Sequence, residues 1–418
     1  MNANLLRFID KYIGLPLCFF LSIYRYLKRL ICTTKPLASP QKILFIKLSE
    51  MGSTVFLYPS IAELKKRIPD AEIFFLVFKN NQQIIEELNF TNKNNIFGVN
   101  TDSIFQLMYS GIQLVSILRK QSIDTCIDMD FFSRLSSVLS FLICRENRIG
   151  FYRFNNEGLA RGNLLTHKVM YSSHIHTSKA FFSLIKTIYP ETHKENIYYK
   201  GFIDESQFEL PRYKPSKESL AKIQEKLNYW GPNIYNNPKK NKKLVIVNPN
   251  SSDIFPLRKW PLNSFAEFSK RLLKEKPDTC IVLTGTCSEQ SDALYITNYL
   301  NDKRCINLVG QTNFKDLLAL YSLADLMVTN DSGPAHFATL LDLPEIVLFG
   351  PETPLLYKPL GNSSKCLYAN YTCSPCVSVY NAKKSPCRNN LCLKAISVDQ
   401  VLFESLKILN KRRDHHDI

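Results

Sequence analysis

The stretch NDSGPAHFATLLDLP, residues 330–344, sets an acid, a hydroxyl, a glycine and a proline directly ahead of an apolar helical pattern. Asp331 and His336 are side chains that can hydrogen-bond a sugar or a diphosphate. Ser332 has the chemistry of a helix cap, Gly333 permits close backbone approach, and Pro334 suits a first helical turn. Free amides at such a helix start, with the positive end of its dipole, suit a phosphate group. The same residues also build an ordinary capped helix, so the turn does not decide alone. Three other turns carry comparable chemistry. NSSDIFPLRKWP (250–261) offers hydroxyls followed by Arg258 and Lys259, cations that can neutralise a diphosphate. TCSE (286–289) puts Glu289 where it can accept a ribose hydroxyl, and QTN (311–313) follows another apolar run. Far upstream, IKLSEMGSTVFLYP (46–59) forms a Ser/Gly turn with Glu50 near its start.

Each turn closes a short apolar run that reads as a buried strand. KILFIKL (42–48), AEIFFLVF (71–78) and DTCIDMD (124–130) alternate with helical patterns at 60–69 and 133–143. The stretch 148–167, rich in Arg, Asn and Gly, reads as a loop. A polar, Pro- and Lys/Asn-rich segment follows, and then the alternation restarts at KLVIVNP (243–249). Strands at 279–285, 305–310, 325–330 and 345–350 and helices at 261–275, 288–301 and 313–324 complete the second series. The expectation is α/β: two Rossmann-like, doubly wound domains facing each other across a cleft. The boundaries expected are a helical segment 1–40, domains 41–210 and 243–365, a linker 211–242, and a Cys-rich loop with closing helix 366–418. In open parallel sheets, ligands bind at the carboxyl ends of strands, where all of these turns lie. Neither GxGxxG nor GxxxxGK[ST] occurs, which excludes the usual dinucleotide and P-loop readings.

The 418 residues carry a formal charge of +16, so an anionic partner is implied. No zinc-finger helix, RNP motif or Arg-rich arm supports nucleic acid as that partner. The first 47 residues hold eight Lys/Arg and a single acid, Asp10, around the apolar run YIGLPLCFFLSIY (12–24). At thirteen residues the run is shorter than the roughly 20 needed to span a bilayer. Leu5, Phe8, Ile9, Tyr12 and Ile13 share one helical face, which predicts an amphipathic, membrane-associating helix on an anionic leaflet. The alternative is a helix docked on its own domain. Either way the body is expected to be cytoplasmic, peripheral to the inner membrane.

From 330 to 361, NDSGPAHFATLLDLPEIVLFGPETPLLYKPLG resembles glycosyltransferase family 9, the ADP-heptose:lipopolysaccharide heptosyltransferases. The resemblance extends over RKWPLNSFAEF, LTGTCSEQ, the run to 336, and 43–73. It implies the GT-B fold, with an N-terminal acceptor domain, a C-terminal nucleotide-sugar domain, and inverting, metal-independent transfer. By that resemblance Asp331, Ser332, Gly333 and His336 contact the donor's sugar and diphosphate. Arg258 or Lys259 contacts phosphate, Glu289 the ribose, and Thr312 lies near the base. The partners implied are a nucleotide sugar, ADP-heptose foremost, and a lipopolysaccharide or lipid-linked glycan acceptor.

One position departs from the family's pattern. Where its members carry an Asp that deprotonates the acceptor, this chain has Ser53, and Glu50 lies three residues earlier in the same turn. Glu50 is the candidate base, with Asp128 or Asp130 as alternatives and a weakened or non-catalytic nucleotide-sugar-binding protein as the rival reading. Lys47 is either a further cation for developing charge or a solvated lysine. No metal is expected at the transfer site, and the seven histidines form no HxxxH or HExxH pair. Cys373, Cys376, Cys387 and Cys392 are spaced so that they can be a structural zinc site, a redox pair or packing. Another nucleotide sugar in place of ADP-heptose stays open.

Overall fold

The computed structural model describes residues 3–31, 40–145, 147–152, 161–188, 208, 210–230, 242–251, 255–381 and 383–411. The chain forms two compact units, Met1–Glu209 and Leu210–Ile418.

The first unit opens with helices α1 (Ala3–Tyr12) and α2 (Gly14–Ile31). Strand β1 (Lys42–Ile46), helix α3 (Tyr58–Arg67), β2 (Glu72–Phe78), α4 (Gln82–Glu87) and β3 (Ile96–Val99) follow. Then come α5 (Ile104–Lys120), β4 (Thr125–Asp128), α6 (Arg134–Ile143), β5 (Asn147–Tyr152), β6 (His167–Met170) and α7 (Thr177–Lys186). The six strands pair in parallel in the order β3-β2-β1-β4-β5-β6. Winding therefore proceeds outward from β1 and resumes on its other side at β4, which makes the β1/β4 ends the switch point of this sheet.

Because strand side chains alternate, Leu44, Ile46, Leu48, Phe74, Leu76 and Cys126 share one face, buried under α1, α5 and α6. On the other face Phe45, Phe75 and Phe90 stack, with centroids 5.2 and 5.6 Å apart.

The second unit contains α8 (Lys217–Trp230), β7 (Lys243–Asn248), α9 (Leu262–Glu275), β8 (Thr279–Leu283), α10 (Gln290–Leu300) and β9 (Cys305–Asn307). It continues with α11 (Phe314–Leu323), β10 (Leu326–Asn330), α12 (Gly333–Ala338), β11 (Glu345–Phe349) and α13 (Pro354–Tyr357). Strand β12 (Ser364–Tyr368), α14 (Leu391–Lys394) and α15 (Val398–Asn410) close it. Its parallel sheet runs β12-β11-β10-β7-β8-β9, so the switch point lies between β7 and β10. Trp260, Phe265 and Phe268 join Val245, Val247, Ile281 and Val328 in its core, with Trp260 and Phe265 edge to face at 4.9 Å.

Two segments differ from the sequence reading. The stretch 148–167 is not all loop. Arg148–Tyr152 lie in β5, because Arg148 satisfies its guanidinium on the carbonyls of Leu164, Cys144 and Arg145 and so tolerates burial. Residues 153–160 of that stretch fall outside the described residues. The segment 211–242 holds helix α8, which packs on α11 through the buried Ile223 and Leu227. The closing helix α15 packs on α9 through Val401, Leu402 and Leu409.

The N-terminal helices are docked along one stripe and bare along the rest. Cys18 is buried, the Ser22 hydroxyl accepts from Asn163 N at 2.7 Å, and Arg25 donates to the carbonyls of Asn163 and Leu165. Gly14 lies where a Cβ would come within 2.8 Å of Arg134 Cβ. Asp10, the lone acid of the segment, turns inward: its Oδ1 accepts from the Arg134 and Leu135 amides at the start of α6.

Candidate functional site

The chemistry-bearing turns lie at the two switch points. In the first unit β1 runs into a tight turn in which Glu50 adopts φ 62° and ψ 72°, before the 3-10 helix Met51–Leu57. That left-handed conformation is strained for a side chain larger than glycine and persists where surrounding contacts enforce it. The enforcing contacts are on view. Ser53 N donates to Glu50 O at 3.0 Å, and Ser53 Oγ donates to the same carbonyl at 2.9 Å while standing 3.5 Å from Glu50 Oε2. Ser53 and the Glu50 carboxylate are thus neighbours, although three residues separate them.

Below this turn lies a sealed charge network. Lys47 is 1% exposed; it donates to the Ser49 carbonyl and stands 3.5 Å from Asp130 Oδ1. Asp130 Oδ2 accepts from Leu48 N at 3.0 Å. Burial pushes the Asp130 carboxyl up, against the pull of Lys47, and the charge of Glu50 adds to the rise. Asp128 is fully buried, held by Arg161 at 2.9 Å and by the Ser136 and Ser137 hydroxyls at 2.9 and 3.3 Å. These positions correct two expectations. Lys47 is neither solvated nor available to a substrate, because it is spent on Ser49 and Asp130. Asp128 and Asp130 are too enclosed to meet an acceptor hydroxyl, which leaves the half-buried Glu50 as the carboxylate of this turn. Arg7 of α1 lies within electrostatic reach of Glu50; burial lowers its pKa and the carboxylate raises it.

Asp128 gives a pH signature. Burial outweighs Arg161 and lifts its pKa from 3.8 to about 6. In that window the folded carboxyl still holds a proton that the unfolded chain has released, so stability is lost as pH rises from about 4 through about 6. The slope is at most about 1.4 kcal/mol per pH unit, one proton's worth. Urea midpoints across this range are expected to fall in the wild-type protein relative to Asp128→Asn; parallel trends would contradict the assignment.

In the second unit the β7/β10 switch point gathers three turns. Asn330, the last residue of β10, ties them: its Oδ1 accepts from Trp260 N at 2.8 Å, and its Nδ2 donates to Pro249 O at 2.8 Å. Arg258 Nη1 stands 3.4 Å from Asp331 Oδ2, and its guanidinium lies 4.7 Å from the Phe255 ring centroid. Lys259 points elsewhere, with Nζ 3.8 Å from Asp292 on α10, so of the two expected phosphate cations only Arg258 shares the Asp331 turn. Asp331, Ser332 and His336 are buried at or just beyond the end of β10. Ser332 occupies the cap position but does not cap, because its hydroxyl donates to Asn330 O at 3.2 Å. Gly333 begins α12 with Pro334 next, as expected. Thr312 is half-buried just ahead of Asn313, whose side chain caps α11.

Glu289 has a structural task that its local sequence announces. Thr286 and Glu289 form a capping box, with Glu289 Oε2 accepting from Thr286 N at 2.6 Å. One carboxylate oxygen is therefore committed to the turn.

Two groups escaped the sequence reading. Lys383 places its ammonium 5.7 Å from the Phe255 ring centroid and 3.8 Å from the buried Glu352, on the side of Phe255 that a local motif cannot reveal. Asn250 is 2% exposed, yet neither atom of its side-chain amide hydrogen-bonds any described residue. A buried amide without partners is destabilising unless something completes it. Asn250→Ala is accordingly expected to leave stability within about 1 kcal/mol, since no bond is lost. Nucleotide affinity is expected to fall roughly ten-fold, one hydrogen bond's worth. A stability loss with unchanged affinity would contradict this.

The cysteines lie on this same unit. Those at 373, 376 and 387 all act on Cys392, whose thiol is pushed up chiefly by burial. Among the described residues, no three His, Cys, Asp or Glu side chains are placed to hold a metal ion, and the thiols are free. The segment instead braces the site: Asn390 Nδ2 donates to the carbonyls of Leu257 and Lys259, flanking Arg258.

Comparisons with known proteins accord with this geometry. Residues 112–385 match glycosyltransferase family 9 (heptosyltransferase), a span that begins downstream of the Glu50 turn. Lipooligosaccharide heptosyltransferase 2 of Campylobacter jejuni is 25% identical over 238 residues, 56% of this chain and 70% of that protein. Lipopolysaccharide heptosyltransferase 2 of Salmonella typhimurium is 32% identical over 115 residues, 27% of this chain and only 32% of that protein. The solved structure of Escherichia coli ADP-heptose lps heptosyltransferase II superposes with a TM-score of 0.64 at 19% identity, covering 88% of this chain and 98% of that one. That likeness establishes the GT-B-like α/β fold built on two six-stranded parallel sheets. With the family match spanning more than half of its residues, the chain belongs to glycosyltransferase family 9, the heptosyltransferase family.

Proposed function

We propose that the protein is an inverting, metal-independent glycosyltransferase that moves heptose from ADP-heptose to a lipopolysaccharide or lipid-linked glycan acceptor. The observation that carries the reading is the convergence of Arg258, Asp331, His336 and Asn250 on the β7/β10 switch point, the position where parallel α/β sheets bind nucleotides. The relatives' printed activities supply the heptose and the ADP.

In this mechanism Glu50 accepts the proton of the acceptor hydroxyl, and the freed oxygen attacks the sugar's anomeric carbon opposite the leaving group. The bond to the nucleoside diphosphate breaks with inversion. Arg258, oriented by Asp331, offsets the charge that develops on the departing phosphates, with Lys383 a second cation over the same Phe255 ring. Asn250 and His336 hydrogen-bond the donor, Ser332 and Gly333 line its diphosphate, Glu289 meets the ribose and Thr312 the base. Ser53, in place of the family's Asp, fixes the Glu50 backbone by donating its hydroxyl to the Glu50 carbonyl, and through it places the carboxylate. Helices α1 and α2 seat the protein on the cytoplasmic face of the inner membrane, where a lipid-anchored acceptor is found. Arg7 links α1 to the Glu50 turn.

Calorimetric titration of ADP, UDP, GDP and CMP into the full chain tests the donor assignment. Selective ADP binding is the expected result. Preference for another nucleotide would overturn the ADP-heptose assignment and keep the reaction class, while a folded protein that binds none would overturn the transferase reading.

A further inference from the structure

Helix α5 carries an apolar stripe that the fold leaves uncovered. Its inner side, Leu107 and Leu118 with Leu114 and Val115, packs into the core of the first sheet. Its outer side shows Phe105 at 78%, Met108 at 61% and Ile112 at 70% exposure, with Tyr109 beside them. The spacing i, i+3, i+4, i+7 places these on one face of the helix. Exposed hydrophobic residues scattered singly are ordinary, but a continuous stripe of large ones marks an interaction surface.

The neighbourhood says what covers it. Helices α1, α5 and α6 cover the same face of the first sheet, and both α2 and α5 pack on α6. The outward residues of α2, among them Phe19, Phe20, Leu27 and Leu30, are also exposed. The charges of these helices have one sign outward. Lys11 and Lys28 are exposed on α1 and α2, Arg119 and Lys120 at the end of α5, and α5 contains no acid. Asp10 is consumed by the start of α6, and Asp102, the nearest acid to α5 in sequence, lies ahead of the helix. A stripe of large apolar groups on a helix that carries basic residues and no acid complements an anionic lipid surface. No helix among the described residues is long and apolar enough to cross a membrane, so the contact is interfacial.

We propose that the outer face of α5, centred on Phe105, Met108, Tyr109 and Ile112, is a second lipid-contacting surface that seats the first unit on an anionic bilayer together with helices α1 and α2. The inference rests on reading those two helices as membrane-seated, and it makes the attachment two-sited. Two separate anchors fix the orientation of the unit on the surface, which one helical segment does not.

The test uses the full chain with vesicles of phosphatidylcholine, alone or containing phosphatidylglycerol. Two variants are compared after urea midpoints confirm equal stability: Phe105→Ser/Met108→Ser/Ile112→Ser on α5, and Phe19→Ser/Phe20→Ser on α2. Each is expected to weaken sedimentation with the anionic vesicles by about ten-fold or more, in a salt-sensitive manner, while transfer to a water-soluble acceptor stays unchanged. Unchanged vesicle binding by the α5 variant, with loss in the α2 variant, would overturn this inference and leave the membrane reading of α1 and α2 standing. A wild-type chain that ignores both vesicle types would overturn both. If the α5 variant instead converts a dimer to a monomer with vesicle binding intact, the face joins two copies of the chain and the inference fails. Activity toward the water-soluble acceptor separates all of these from failure of the transferase assignment.

Discussion

Glu50→Gln is expected to lower sugar transfer by about two to four orders of magnitude, the usual contribution of a general base, with nucleotide affinity changed by less than about two-fold. The amide keeps the size of the carboxylate and its place beside Ser53, so the substitution removes the proton acceptor and little else. Because Glu50 holds a left-handed backbone, the glutamine variant must be shown to keep its fold by thermal unfolding. The alternatives are testable in the same assay. Asp128 and Asp130 are sealed beneath the turn by Arg161 and Lys47, so their substitution is expected to act on stability rather than on the proton transfer. Transfer by Glu50→Gln within a few-fold of the wild-type rate would remove Glu50 from the mechanism. Ser53→Ala is the graded control, because it removes the hydroxyl that holds the Glu50 carbonyl without deleting the carboxylate.

The second large effect concerns Arg258. On the proposed role of Arg258, Arg258→Met removes a charge-assisted contact to the diphosphate, each of which contributes about 1.5–3 kcal/mol, so nucleotide affinity is expected to fall roughly ten- to hundred-fold. It also takes one ion partner from the buried Asp331 carboxylate, and breaking an enclosed ion pair costs up to about 3–5 kcal/mol of stability. The two consequences separate in the double variant Arg258→Met/Asp331→Asn. Neutralising the acid is expected to restore most of the stability, whereas nucleotide binding stays weak. A double variant that recovers binding along with stability would mean that Arg258 serves the fold alone. Lys259→Met is expected to do less on both counts, because its ammonium faces Asp292 on α10 at a looser 3.8 Å.

The turns were legible because their signals are local. Gly333, Pro334 and the Ser/Gly run at 49–53 punctuate strands whose β-branched and aromatic residues read as buried, and both strand series appear close to where they were expected. What sequence could not show is which distant side chain answers each one. Lys47 reads equally as a solvated lysine or as a cation for developing charge until Asp130, just past the end of β4, is seen against it. Arg148 makes 148–152 look like loop, yet carbonyls from three other positions let it enter a strand. Asn330 passes for an ordinary strand end, although its amide knits the β7 and β10 turns together. Glu289 shows the opposite case: its capping box was spelled out in the local sequence TCSE and went unread there. The α5 sequence is apolar on several faces, and only packing shows that one side stays uncovered.

Transfer from ADP-heptose to a lipopolysaccharide-core acceptor in detergent micelles, followed by mass spectrometry of the acceptor and assay of released ADP, tests the central claim most directly. The account predicts that the acceptor gains one heptose with inverted anomeric configuration, that ADP appears in equal amount without added metal, and that Glu50→Gln abolishes both. Donor that binds yet remains intact, with acceptor unchanged by the wild-type chain across a panel of nucleotide sugars, would contradict it.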